Sequence, residues 1–408
     1  MTALLCAVSC IDIDQDNPYE ESMHQLSIRL VFPEGVDNPA GNPVKINLYN
    51  INTGRQIQVN TGTDGTAKVM TINGMYRISS FHEVGDRNFN ALEDRVKIAG
   101  KNRELELKYV EIKPGALLIK ELYTGGCSRM PVEQKDYQSD KYALLHNNSN
   151  QVFYLDSLCF GTLSPYNSTA ENPWLKEDSM GNIFYQPFLP IIQALWRFGG
   201  DGKTFPLQPG EDAIIAFCGA IDHSELYPES VNLNRPDCFV CYDHKNFPNP
   251  LYHPVPGDQI SQERHLNLVI KTGKANAYTI SVSSPTFVIF KAQGQSIEDF
   301  VSNSDHVIPV PGSSIDKVVC IPPSWIIDGV EVFNGSESEN TKRLLPLVDA
   351  GSVFQTAPFK GRALHRLTDE KKSAAKGYEI LRDTNNSSRD FTEIEHASLW
   401  KEKKEVAR

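Results

Sequence analysis

The sequence predicts an all-β protein of two β-sandwich domains in tandem, the second enlarged by long insertions. Three observations predict it. Apolar and polar residues alternate over short runs from residue 24 onward. Clusters of Gly, Asn, Asp, Pro and Thr separate those runs. Pro (25) and Gly (27) are plentiful, whereas stretches with helical period are scarce. A chain of 408 residues is also too long for one ordinary core.

Residues 1–10 form the first element. Ala3 to Val8 is apolar but far too short to span a bilayer. It reads as the tail of a secretory signal, although the usual basic start is missing. Ala7-Val8-Ser9-Cys10 resembles a bacterial lipobox, in which small or apolar residues precede the cysteine that takes the lipid. Cys10 is therefore the expected lipidation site; the alternative is that it opens a soluble strand. Cys6 fits worse, because Leu5 is too large for the small-residue position. Residues 11–22 follow as an acidic tether, with Asp12, Asp14 and Asp16 too charged to pack. Acids just after the lipidated cysteine resemble the signal that sends Bacteroidetes lipoproteins to the outer face of the outer membrane. The resemblance implies a lipid-anchored, surface-exposed protein.

Residues 23–113 are expected to make a small sandwich. HQLSIRLVF (24–32) places Leu26, Ile28, Leu30 and Phe32 on one face. VKINLYNI (44–51) does the same with Val44, Ile46, Leu48 and Asn50. Seven or eight short strands follow one another to residue 112, separated by turns such as TGTDGT and NGM. The order of strands and turns resembles prealbumin-like or carboxypeptidase-regulatory-like modules. In those, a Gly-aromatic pair opens a strand after a tight turn, the places held here by Gly74 and Tyr76. Pro114-Gly115 marks the boundary.

Residues 114–395 are expected to form the second sandwich, and residues 396–408 a charged C-terminal tail. Asn147-Asn148, Leu155-Asp156, Leu207 to Glu211 and Gly361 to Arg366 resemble the landmarks of lamin-tail-like domains, an immunoglobulin-like sandwich. The family's acidic residue before the Asn-rich turn is Leu144 or Leu145 here, so any role of that acid is lost. Taken whole, the phrases LLIKELYTGGC, NNSNQVFYLDSLC, PPSWIIDGVEVF and KRLLPLVDAG resemble an uncharacterised family of Bacteroides lipoproteins about 400 residues long. That resemblance implies location and architecture and carries no activity.

Composition narrows the function classes. Hydrophobic residues (40%) and charged residues (22%) sit near a soluble globular average, which argues against long disorder. A net charge of -11, spread along the chain, would repel a phosphate backbone and excludes nucleic acid as the expected partner. No nucleophile elbow, zinc-protease helix or phosphate-cradling loop is present, so no catalytic residue and no cofactor are expected.

The candidate sites are few. Cys238, Cys241 and His244 have the one metal-like spacing. A two-residue gap on a strand turns Cys238 and Cys241 to opposite faces, so they are weak ligands. The six cysteines after Cys10 could form disulfides or remain buried thiols. Asp86, Asn88, Asn90, Glu93 and Asp94 have calcium-loop oxygens, but Ala91 stands where the loop needs glycine. They read as a solvated hairpin tip. Asp383 to Asp390 reads as a self-bonding polar loop. Aromatics crowd residues 173–206 and 239–253, within the insertions at 162–204 and 222–312. Trp174, Trp196, Tyr242 and Tyr252 are the candidate binding surface; the alternative is that they form a local core.

The expected role is a surface lipoprotein that binds a ligand as an accessory to nutrient uptake, with a TonB-dependent outer-membrane transporter as partner. The alternatives are a structural or adhesive surface protein and a hydrolase with an unrecognised site.

Overall fold

The computed structural model describes residues 23–36, 43–85, 87–128, 136–179, 181 and 183–401. Cys10, the acidic tether and most of the charged tail lie outside the described residues. The chain is all-β, as the alternation predicts, and its strands form two sandwiches.

Seven strands build the first: β1 (His24–Val31), β2 (Lys45–Asn50), β3 (Gln56–Asn60), β4 (Thr66–Thr71), β5 (Gly74–Val84), β6 (Arg87–Ile98) and β7 (Arg103–Ile112). Their order is β3-β2-β5-β6-β7-β1-β4. All neighbours run antiparallel except β1 and β7, which pair in parallel. The sheet wraps so that Leu26, Ile28 and Leu107 meet Ile46, Leu48 and Ile78 in one core. Burial alternates along β1 and β2 in the predicted phase. Gly74 opens β5, and Tyr76 follows two residues later. A Cβ on Gly74 would lie 2.7 Å from the Asn50 amide nitrogen. Tyr76 is buried, and its hydroxyl donates to the Ile72 carbonyl at 3.0 Å.

The second sandwich uses β8 (Leu117–Tyr123), β9 (Tyr142–Asn147), β10 (Cys159–Leu163), β11 (Leu189–Arg197), β12 (Asp212–Ala216), β13 (Cys238–Val240) and β14 (Asn267–Lys271). It continues with β15 (Thr286–Phe290), β16 (Val307–Pro309), β17 (Lys317–Ile321), β18 (Ile326–Phe333), β19 (Val353–Phe354), β20 (Ala363–Arg366) and β21 (Phe391–Ile394). One sheet runs β13-β12-β9-β8-β20-β21. The other runs β16-β17-β11-β10-β15-β18-β19, with β14 also paired to β11. Leu117, Ile119, Leu145 and Ile215 from the first sheet interdigitate with Phe160, Trp196, Phe287 and Val330 from the second.

Loops and short helices cover both outer faces. Ile297 and Phe300 of α1 (Ile297–Ser302) cover the larger sheet. Val231, Leu233 and Ile260 cover the smaller one. Strands of both sheets are therefore buried on both sides, which is why β9, β10 and β15 read as apolar runs rather than alternations.

Asn147, Asp156 and the Pro209-Gly210 turn pin the loops of this sandwich. Asn147 donates through its amide to the carbonyls of Gln151 and Leu207, each at 2.7 Å. Asp156 accepts from the backbone N–H groups of Gly202, Thr204 and Phe205 at 2.9–3.0 Å. The Pro209-Gly210 turn returns to Asn147 through the Gly210 N–H at 2.9 Å, with Gly210 at φ +80°.

Candidate functional site

The two sandwiches meet along the outward faces of β5 and β6. Period-two alternation turns Tyr76, Ile78 and Ser80 into the first core, which leaves Arg77, Ser79 and Phe81 facing the second sandwich. Arg77 donates through Nε to Asp94 Oδ1 at 2.8 Å and pairs with Glu337 across the seam. Tyr185 Oη donates to the other oxygen of Asp94, also at 2.8 Å. Asn90 gives its amide to the Thr384 carbonyl at 2.6 Å, and Arg95 bonds the Thr341 hydroxyl at 2.8 Å. Burial opposes the charge on Arg77, but the adjacent Asp94 carboxylate outweighs it and holds the guanidinium above its ordinary pKa. Burial likewise pushes Asp94 upward, and the Arg77 charge reverses that, leaving the carboxyl below its usual range. Asp94 is thus a buried, paired anion at the seam, a correction to its reading as a solvated hairpin tip.

A cleft of about 350 Å³ opens beside these pairs. It lies between two edge strands of the second sandwich, β19 from the larger sheet and β21 from the smaller, with Arg77 and Ser79 contributed by the first sandwich. Phe354 is half-buried at its wall and meets Phe333 edge-on at 5.9 Å. Asn386 and Ser388 form another wall, at the start of α2 (Ser387–Asp390). This is the Asp383–Asp390 loop, and its inward side is self-bonding as expected. Asp390 accepts from the Thr384 N–H and hydroxyl, both at 2.8 Å. Asp349 anchors the loop from outside through the Ser387 N–H at 2.8 Å.

Behind the loop, Arg366 is buried among three carboxylates. Its distances are 2.5 Å to Asp328, 3.5 Å to Asp383 and 3.7 Å to Asp390. Asp383 also accepts the Gly115 N–H at 2.6 Å, so the cluster grips the chain where it enters the second sandwich. Burial pushes the Asp390 carboxyl up to about 6, with Arg366 offsetting only part of it. Asp328 moves in the same direction, again through burial first.

A second recess has two lobes, of about 460 and 380 Å³, that share Asp212 and Asp237 at the β12–β13 edge. Phe205, Phe239 and Arg264 line the first lobe, with the Arg264 guanidinium 4.6 Å from the Phe239 ring centre. Lys120 bridges Asp212 and Glu379 in the second, at 2.7 and 2.6 Å.

The four predicted anchors do not come together as a surface. Trp196 is fully buried in the central core, against Tyr278 at 5.5 Å. Trp174 is only 6% exposed and packs on Phe188. Both are corrected from binding residues to packing residues. Tyr242 and Tyr252 are half-buried but serve different clusters, on the outer face of the smaller sheet and in the central core respectively. The aromatic inserts contribute otherwise, through Tyr185 at the seam and through Phe205 and Phe239 in the second recess.

The weak metal candidates separate as strand geometry dictates. Cys238 faces the outer cluster, Cys241 faces the central core, and His244 is exposed. Among the described residues, no group of three or more His, Cys, Asp or Glu is placed to hold a metal ion. The six described cysteines are free thiols. Sequence reading missed Arg77, Phe354 and Glu337. Each looks like an ordinary residue of a strand face or turn, and only the docking of two sandwiches gives it a role.

The fold and the seam define a two-sandwich all-β protein with a cleft at the junction. Residues 208–398 match the model of DUF4876, described as a protein of unknown function. Among solved structures, the chain is similar to a DUF4876 family protein from Bacteroides thetaiotaomicron VPI-5482, at 24% identity and a TM-score of 0.54. That alignment covers 90% of this chain and 94% of the other. These matches bear out the resemblance to an uncharacterised Bacteroides family. A DUF3823 family protein from Parabacteroides merdae ATCC 43184 aligns at 14% identity and a TM-score of 0.17, over 45% of this chain and 94% of that one. No curated protein matches the chain. No helix among the described residues is long and apolar enough to cross a membrane.

Proposed function

We propose that the chain is a lipid-anchored protein of the outer-membrane surface whose junction cleft binds a ligand, as an accessory to TonB-dependent nutrient uptake. One observation carries the binding part of this reading. The cleft draws side chains from both sandwiches, and ion pairs to buried Asp94 and half-buried Glu337 hold Arg77 beside it. Fixed polar groups converging on a concavity are what small-molecule recognition needs. The lipobox-like Ala7 to Cys10 and the acids after it support the location.

Two measurements test this reading. Cys10→Ala should abolish metabolic lipid labelling and release the protein from the membrane fraction. Equal labelling of the variant would remove the anchor. Crosslinking on whole cells should capture a TonB-dependent transporter with the wild-type chain. Crosslinking that recovers only adhesion or matrix components would favour the structural alternative.

A further inference from the structure

We propose that the junction cleft takes a neutral carbohydrate, a short stretch of oligosaccharide chain. This rests on the reading of the cleft as a binding site and adds the chemical class of its ligand. Charge comes first. Arg77 and Lys342 are balanced by Glu337 and Glu393 among the lining residues. These charges already have partners inside the protein. Arg77 holds Asp94 and Glu337, Lys342 gives its ammonium to the Gly351 carbonyl, and Glu393 takes Arg362 and the Thr356 hydroxyl. An ionic ligand would therefore have to break the ion pairs of Arg77 or Glu393, and Lys342 is buried with its ammonium on a carbonyl, so little free charge faces the cleft.

The remaining polar lining has a different character. Ser79, Ser352, Asn386, Ser388 and Thr392 are hydroxyl and amide groups; Ser388 donates to Asn386 Oδ1 at 2.6 Å, which leaves the Asn386 amide N–H groups to donate and the Ser388 oxygen to accept. Sugar hydroxyls need partners of that dual kind. Phe354 adds a half-buried aromatic ring at the wall. The C–H groups of a pyranose face carry partial positive charge and pack against the negative face of such a ring. A volume of about 350 Å³ sits at the small end of small-molecule sites, which fits a short saccharide and not a folded partner.

The test uses the purified full chain, fluorescently labelled, on one array. The array carries neutral oligosaccharides, sialylated and sulfated oligosaccharides, and extended peptides. Hits are then titrated by calorimetry against Phe354→Ala, Asn386→Ala and the conservative Phe354→Tyr. The proposal expects neutral oligosaccharides to bind. It expects each alanine variant to weaken them by about tenfold or more with the melting temperature retained, and Phe354→Tyr to restore binding. Neutral glycan binding that is indifferent to both alanine variants overturns the proposal. If acidic glycans bind instead and lose affinity with the same variants, the cleft stands as a site and the neutral class falls; if peptides do so, the carbohydrate class falls altogether. Silence in every arm overturns both.

Discussion

Tyr185 of the second sandwich donates its hydroxyl to Asp94 of the first at 2.8 Å, on a carboxylate that Arg77 already holds from the other side. The seam between the sandwiches is therefore a buried charge network. Tyr185 comes from the aromatic insert, whose hydroxyl burial and the Asp94 charge push well above the ordinary tyrosine pKa, so it stays a donor.

Asp94→Ala should be the more damaging change at the seam. It leaves Arg77 buried and short of its main partner, and should cost about 3–5 kcal/mol. Tyr185→Phe removes one hydrogen bond to a charged group and should cost about 1.5–3 kcal/mol. Urea denaturation of the two variants checks both the size and the order. A smaller loss for Asp94→Ala than for Tyr185→Phe would mean that the Arg77 pair contributes little.

The Arg366 cluster sets a pH dependence whose direction is fixed. Burial raises the Asp390 carboxyl from 3.8 to about 6 in the folded chain, and Asp328 shifts upward too. The folded state thus keeps protons that the unfolded state releases, so this contribution is full below the unfolded value. It is lost as pH rises from 3.8 through about 6. Asp390→Asn should flatten the curve over that window, relative to wild type, in chemical denaturation at a series of pH values. An unchanged slope would show that Asp390 is ionised throughout.

The aromatic candidates should separate in a thermal melt. Trp196→Ala empties a fully buried site and should cost about 3–5 kcal/mol. Tyr242→Ala and Tyr252→Ala remove half-buried rings and should cost clearly less. A loss at either tyrosine equal to that at Trp196 would mean that the half-exposed rings are as deeply engaged as the core.

The described thiols should be nearly inert in the native state. Burial pushes Cys238 up to about 12 and Cys241 well above the ordinary thiol range. Among the described cysteines, reaction with a thiol reagent before unfolding should be confined to Cys320, the half-buried one. Rapid native labelling of Cys238 or Cys241 would show that the β13 edge opens.

The first sandwich was legible because its strands have one wet face. Leu26, Ile28 and Leu30 alternate with Gln25, Ser27 and Arg29, and the phase of burial follows. The second was harder, since strands such as Tyr142–Asn147 are covered on both sides and lose their period. The cleft was not legible at all. Arg77 and Ser79 occupy the polar phase of β5, as solvated residues would, and Phe354 sits in a two-residue strand. Their convergence depends on contacts such as Asn90 with Thr384, almost 300 positions apart (a separation of 294), which no local pattern encodes.

The functional account requires a cleft whose walls are held in one geometry by the seam, and calorimetric unfolding tests that most directly. The account predicts a single cooperative transition for the wild-type chain, and two resolved transitions when Arg77→Ala and Asp94→Ala are combined. Two independent transitions in the wild type, at temperatures the double variant does not change, would contradict it.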